Sequence, residues 1–206
     1  SGLQVDKSDG ALFIPTTDTV QYDVEARGLR DTNVVGARPV GQLLLKGKPA
    51  FTTPYIDGQF VAFSLLEMTA DSSGIDQQFL FLKTDNDSIG KVLADSLVTI
   101  VAGIPDGRKV VTMTNFAPFI PNFTNSDIVK QALQSLGPAN GMGAASTFGA
   151  YAMIGRKGML PGQAKANFSG DQTGGVSILD TVITLGTTGF AQPPMTAIET
   201  GSGNFR

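Results

Sequence analysis

Cysteine, histidine and tryptophan are all absent from this chain. Without cysteine there are no disulfides and no thiolate metal sites, and cysteine usage says nothing of the redox compartment. The lack of histidine removes the commonest general base and the commonest zinc ligand together. A Ser–His–acid triad therefore cannot be assembled, and no Gly-x-Ser-x-Gly elbow occurs. Long apolar runs are missing as well. No stretch approaches the roughly 18 consecutive apolar residues of a membrane-spanning helix, and no basic-then-apolar leader opens the sequence as given.

Charge is scarce too. Charged residues make up 16% of the 206 residues, against about 25% in an ordinary soluble domain. A surface so poor in charge is easily buried against a neighbour, because few ions lose their hydration. The net charge of −3 offers no broad basic field for phosphate. Between Ser1 and Arg38, Lys7, Arg27, Arg30 and Arg38 face Asp6, Asp9, Asp18, Asp23, Glu25 and Asp31, so an Arg-rich arm of the kind that packages RNA is absent. No specific nucleic-acid binding is expected.

What is present reads as β-structure. From Thr19 to Arg27 apolar and polar residues alternate, with Val20, Tyr22, Val24 and Ala26 on one side and Gln21, Asp23, Glu25 and Arg27 on the other. That pattern belongs to an antiparallel sheet with one wet face. Further strands are expected at Ala11–Ile14, Val40–Lys46, Phe60–Met68, Gln78–Lys83, Leu97–Ala102, Lys109–Asn115, Tyr151–Ile154 and Val176–Leu185, all bounded by glycine or proline punctuation. Ile104-Pro105-Asp106-Gly107 reads as a hairpin turn joining Leu97–Ala102 to Lys109–Asn115, and Asp57-Gly58 as a weaker turn.

Two helices interrupt the strands. Residues 125–136 place Ile128, Val129, Ala132, Leu133 and Leu136 on one stripe, with Ser126 or Asn125 as N-cap and Gly137-Pro138 as the stop. A shorter helix is expected from Ser88 to Ser96, capped by Asp87, with Ile89, Val92 and Leu93 packing inward. The fold class is therefore mainly β: an antiparallel two-sheet sandwich or barrel, jelly-roll-like, with one or two short helices and extended glycine-rich arms. One domain spans 1–206, with arms at 1–10 and 186–206 and a flexible loop at 137–149. The proline-stiffened run 116–123, with Phe116, Phe119 and Phe123, either plugs the end of a sandwich or meets another subunit.

Motifs for chemistry fail one by one. Asp85–Gly90 begins like a calcium loop, but Ile89 and Ser96 stand where ligands are required, which leaves an Asx turn capping a helix. Gly41–Lys48 has the wrong spacing for a phosphate loop and is followed by Pro49. Gly141-Met-Gly143 follows a helix end rather than a strand, so it is no dinucleotide fingerprint. The pair Arg156-Lys157 reads as a turn tip. Paired carboxylates survive longest, because a glycosidase needs only two acids in a cleft. Asp23, Glu25, Glu67, Asp71 and Asp180 are the candidates, and the sequence does not place them relative to one another. No catalytic, cofactor-binding or metal residue is assigned, and the chain is expected not to be an enzyme.

Low charge, the absence of Cys, His and Trp, abundant Gly, Thr and Asn, and glycine-rich extensions together resemble virion structural proteins. The resemblance is one of texture across the whole chain and rests on no diagnostic motif. It implies a subunit that assembles with copies of itself, and with other virion proteins, in a virus or phage capsid, and location in the virion. A tail-tube subunit is the rival within that class, and a carbohydrate- or receptor-binding β-module the rival outside it.

Overall fold

The computed structural model describes residues 4–5, 12–13, 19–27, 41–115, 123, 126–139, 150–169 and 176–184. The chain is mainly β, with two larger antiparallel sheets and two helices. Its strands are β1 (Gln4–Val5), β2 (Leu12–Phe13), β3 (Thr19–Arg27), β4 (Gln42–Leu45), β5 (Lys48–Thr52) and β6 (Tyr55–Ile56). They continue with β7 (Gln59–Met68), β8 (Ile75–Leu82), β9 (Lys109–Thr114), β10 (Ala150–Arg156), β11 (Lys165–Ser169) and β12 (Val176–Thr184). Helix α1 runs Asp87–Gly103 and α2 Asp127–Gln134. Among the described residues no sheet closes into a barrel, which settles that half of the expectation against it.

The larger sheet is ordered β11-β10-β9-β7, with β8 on the far flank of β7 and the short β6 pairing its start. Strands β8 and β9 both run antiparallel to β7, so α1 carries the chain across β7 between two strands of like direction. The second sheet is ordered β12-β3-β4-β5. Tight turns close one hairpin in each sheet, β4–β5 and β6–β7: Lys46 and Gly47 have φ of 53° and 71°, and Asp57 and Gly58 have 46° and 80°. Two successive positive φ values match the right-handed strand twist, which is why Asp-Gly and Lys-Gly close these hairpins.

Burial alternates along the central strands. Phe63 and Leu65 of β7, Val110 of β9, and Tyr151 and Met153 of β10 pack with Leu97 and Val101 of α1 and Val129 and Leu133 of α2. Their chain neighbours Leu66, Met68, Val111, Met113, Ala152 and Ile154 form a second cluster with Tyr22, Val24, Leu43 and Phe51 of the other sheet. Both faces of the larger sheet are thus covered, so β7 reads as an almost unbroken apolar run rather than an alternating one. In β3 the expected alternation holds where side chains are described: Tyr22 and Val24 are buried and Gln21 is exposed.

The main correction concerns Leu97–Ala102, which is helix and not strand. Its Val and Ile residues favour a strand locally, but Gly90, Ala94, Leu97 and Val101 fall on one helical stripe and are buried together. Ser96 and Thr99 are accommodated in the same helix, their hydroxyls donating to the carbonyls of Val92 and Asp95, 2.7 and 3.0 Å away. Tertiary packing outweighs β propensity. The turn after it survives shifted by one residue: Arg108 N donates to Pro105 O at 3.1 Å, with Gly107 at φ 82°, and it joins a helix to β9. The N-cap is Asn86 rather than Asp87, its side chain accepting from Ser88 N at 2.9 Å and Ile89 N at 3.1 Å.

Helix α2 keeps part of the expected pattern: Val129, Leu133 and Leu136 are buried, and Gly137, at φ 103°, follows its end. Ile128, expected on the same stripe, is exposed, and Ser126 caps the helix without a side-chain hydrogen bond. Phe123 is buried against Phe63 and Phe81, with ring centroids 5.7 and 5.4 Å apart. It plugs the core beneath α1 and α2. The remainder of 116–123, the segment 140–149 and the arm 186–206 lie outside the described residues, as does 1–10 apart from β1.

Candidate functional site

Among the described residues, polar groups of β3, β9 and the β7–β8 loop meet around Ser72. The loop is organised by its own carboxylate. Asp71 accepts from Thr69 Oγ1 at 2.6 Å, from Ser73 Oγ at 2.7 Å and from Ser73 N at 3.1 Å. Those hydroxyls, Thr69 first, hold the Asp71 carboxyl down to about 2, well below the usual carboxylate range. The loop presents Ser72 inward, buried and at φ 66°. Its carbonyl accepts from the Tyr22 hydroxyl of β3, and its own hydroxyl meets Lys109 Nζ of β9 at 2.7 Å.

Burial, and then the Asp71 charge, push the Tyr22 phenol well above its ordinary value. Lys109 is pulled below its ordinary value, by burial first and then by Arg156, which the β9–β10 register sets directly opposite. Beside them, Arg108 Nε lies 3.0 Å from Glu67 Oε1, Nη2 lies 3.5 Å from Asp76 Oδ2, and Nη1 donates to Met68 O at 3.3 Å. One guanidinium thus ties β7 and β8 to the start of β9. Sequence pattern offered a signal for the loop, since Thr69-x-Asp71-x-Ser73-Gly74 is turn chemistry. Nothing local marked Tyr22 or Lys109 as its partners.

A second polar joint lies between the sheets. The Asn115 side chain accepts from Gly41 N at 3.0 Å and donates to Val61 O at 3.2 Å. Thr53 returns to Gly41 O through its amide at 2.9 Å and its hydroxyl at 3.1 Å. Gly41 sits tightly there: an added Cβ would stand 3.0 Å from Thr53 Oγ1 and 3.1 Å from Met113 Sδ, so both side chains would have to give way by a few tenths of an ångström. The Ser64, Thr112 and Tyr151 hydroxyls are buried without a hydrogen-bond partner among the described residues.

The candidate acids are dispersed among these elements. Glu67 is buried and bound by Arg108, Asp71 is consumed by its own loop, and Asp23 accepts from Gln21 Nε2 at 2.9 Å. Strand register sets Asp180 directly opposite Asp23, and Glu25 opposite Ile178 and Gln42, on the second sheet. Glu67 and Asp71 therefore belong to β7 and the loop after it, and the other three candidates to β3 and β12. A general acid needs a carboxyl tuned toward the working pH, and Asp71 is tuned the other way. Among the described residues no group of three or more acids is placed to hold a metal ion. Arg156-Lys157 does sit at a strand end, but Lys157 Nζ reaches the carbonyl of Val101 at 2.8 Å, closing the C-terminal turn of α1. The polar groups in view fasten layers together. Compared with known proteins, the chain matches no protein-family model and no curated protein.

Proposed function

We propose that this chain is a structural subunit that self-assembles in a virus or phage particle as a capsid or capsid-associated protein, and that it performs no catalysis. The observation that carries this reading is a charge-poor surface that leaves large apolar side chains in water. Charged residues total 16%, while Val92 of α1 and Leu160 after β10 are 62% and 67% exposed, with Ile89, Ile128 and Tyr55 also exposed. Such groups gain about 25 cal/mol for each Å² of apolar surface they bury against a neighbour. The shared cluster of Tyr22, Leu43, Leu66 and Met113 supports reading the two sheets as an antiparallel sandwich. It is jelly-roll-like in its facing sheets and unlike one in the helical crossover of α1.

Copies of the same chain, and other virion proteins, are the partners on this reading, and the virion is its location. A tail-tube subunit is the alternative within it, and a monomeric carbohydrate- or receptor-binding module the alternative outside it. Sedimentation and electron microscopy of the purified full chain separate them. Shells, rings or defined oligomers support assembly, stacked hexameric rings favour the tube, and a clean monomer at tens of micromolar sinks both.

A further inference from the structure

The two sheets are pinned to each other at both ends, and the pins fix where β12 finishes. At one end the Tyr22 hydroxyl of β3 donates to Ser72 O, in the loop that follows β7. At the other end Gly41, just before β4, donates its amide to Asn115 Oδ1, just after β9. Along β3 the register runs from Thr19, opposite Thr184 of β12, past Tyr22 to Glu25, opposite Gln42 of β4. Strand β12 therefore finishes at the Ser72 end, and the chain beyond Thr184 starts out from there.

The helices cover the opposite face of the larger sheet. Helix α1 begins after β8, whose Leu82 pairs with Val61 at the Asn115 end, and α2 packs beside it. Lys157 Nζ lies 2.8 Å from Val101 O and 3.5 Å from Ser135 Oγ, so both helices finish at the Ser72 end and run parallel. Toward the Asn115 end they carry apolar side chains in water. Ile89 and Val92, expected to pack inward, lie one turn apart on α1 and are exposed, as is Ile128 in the first turn of α2.

We infer that residues 186–206 of one copy lie across this α1–α2 face of the next copy, joining copies head to tail. This rests on the assembly reading above and names the contact it uses. Residues 186–206 space Phe190, Met195, Ile198 and Phe205 widely and carry only two charges, Glu199 and Arg206. Such a strap buries apolar anchors while stripping few ions of water. Met195 and Ile198 stand three residues apart, which spans about 10 Å when extended, and packed helix axes lie about 8–10 Å apart. Direction selects the neighbour's face over the chain's own. The strap starts at the Ser72 end of the second sheet, whereas its seat lies toward the Asn115 end, across the larger sheet. Head-to-tail stacking brings those two ends together. Contacts of this kind are heterologous, so they close into rings or propagate as filaments.

The test compares the full chain with a variant ending at Leu185 and with Val92→Glu, an exposed position of α1. Both variants should keep the wild-type circular dichroism and associate at least tenfold more weakly in analytical ultracentrifugation, since one lacks the strap and the other its seat. An equal mixture should form dimers that grow no further. The strap of the Val92→Glu copy then seats on the truncated copy, which has no strap to pass on. Ile128→Glu should behave as Val92→Glu does, and Ala50→Glu, exposed on β5, as the wild type does. If the wild type assembles and the truncated chain or both seat variants assemble equally well, or the mixture stays monomeric, the strap contact is wrong while the assembly reading stands. A wild type that stays monomeric overturns the assembly reading itself.

Discussion

The Tyr22 hydroxyl donates its hydrogen bond to the backbone carbonyl of Ser72, joining residues 50 apart in sequence and fastening β3 to the β7–β8 loop. Both residues are buried. Ser72 holds a positive φ and also receives Lys109, so one residue of a loop anchors two strands of different sheets. Tyr22→Phe keeps the ring in its cluster and leaves the Ser72 carbonyl buried without that donor. A loss of about 1–3 kcal/mol in urea unfolding is expected. No loss would mean that the bond merely accompanies ring packing.

The contact between Arg108 and Glu67 is expected to behave asymmetrically. Glu67 is almost closed to solvent, whereas the Arg108 side chain is 21% exposed. Arg108→Met strands a buried carboxylate and should cost about 3–5 kcal/mol, as removal of one partner of a buried pair does. Glu67→Met removes the charge that needs compensation and should cost less, because Arg108 still reaches Asp76 and the Met68 carbonyl. The double variant should recover most of the Arg108→Met loss. A double-mutant cycle read by denaturant midpoints decides this, and strict additivity would refute the coupling.

Alkaline pH gives a third expectation. Tyr22 and Tyr151 are buried, and burial raises both phenols above the ordinary 10.0. A folded-state value raised above the unfolded one gives stability that is complete below pH 10 and lost as pH climbs above it. In that range the unfolded chain releases phenolic protons that the folded chain retains. The slope approaches about 1.4 kcal/mol per pH unit for each tyrosine. Urea midpoints should hold through pH 9 and then fall, with the tyrosinate absorbance of Tyr22 and Tyr151, read in a Tyr55→Phe background, rising together with unfolding. Tyr22→Phe should shallow the fall. In that Tyr55→Phe background, which leaves only the two buried phenols, tyrosinate appearing in the folded protein near pH 10 would contradict it.

Much of this architecture was legible in residue order, and the misses share a cause. Alternation placed Tyr22 and Val24 inward, Gly137-Pro138 ended α2, and Asp57-Gly58 closed a hairpin, all from local chemistry. The hairpin expected around Pro105 failed because the β propensity of Val98, Thr99 and Ile100 competes with a helical stripe. That stripe is visible only when Gly90 and Ala94 are counted as apolar. β5 was missed because Lys48 and Pro49 look unlike a strand, and edge strands tolerate both. Glu67 and Asp71 could be singled out as acids, yet their partners Arg108, Tyr22 and Lys109 come from distant strands. Topology, rather than any spacing, brings them together.

Gly155 provides the sharpest steric expectation. It lies in β10 opposite Val110, and the chain end of α2 passes directly over it. A Cβ built there would stand 2.2 Å from the Leu136 carbonyl oxygen and 3.3 Å from Ala164 Cβ. The Leu136 oxygen has no room to retreat, because it accepts the Arg156 amide at 3.0 Å. Gly155→Ala must therefore push α2 off the sheet or break that bond, and a loss of about 3 kcal/mol is expected from overpacking. Gly103 is the matched comparison: it ends α1, its added Cβ meets nothing within 4 Å, and its φ is not positive. Gly103→Ala should be neutral or stabilise by about 0.5 kcal/mol through lower unfolded-chain entropy. Equal thermal shifts for the two variants would show that α2 does not bear on β10 as closely as Gly155 implies.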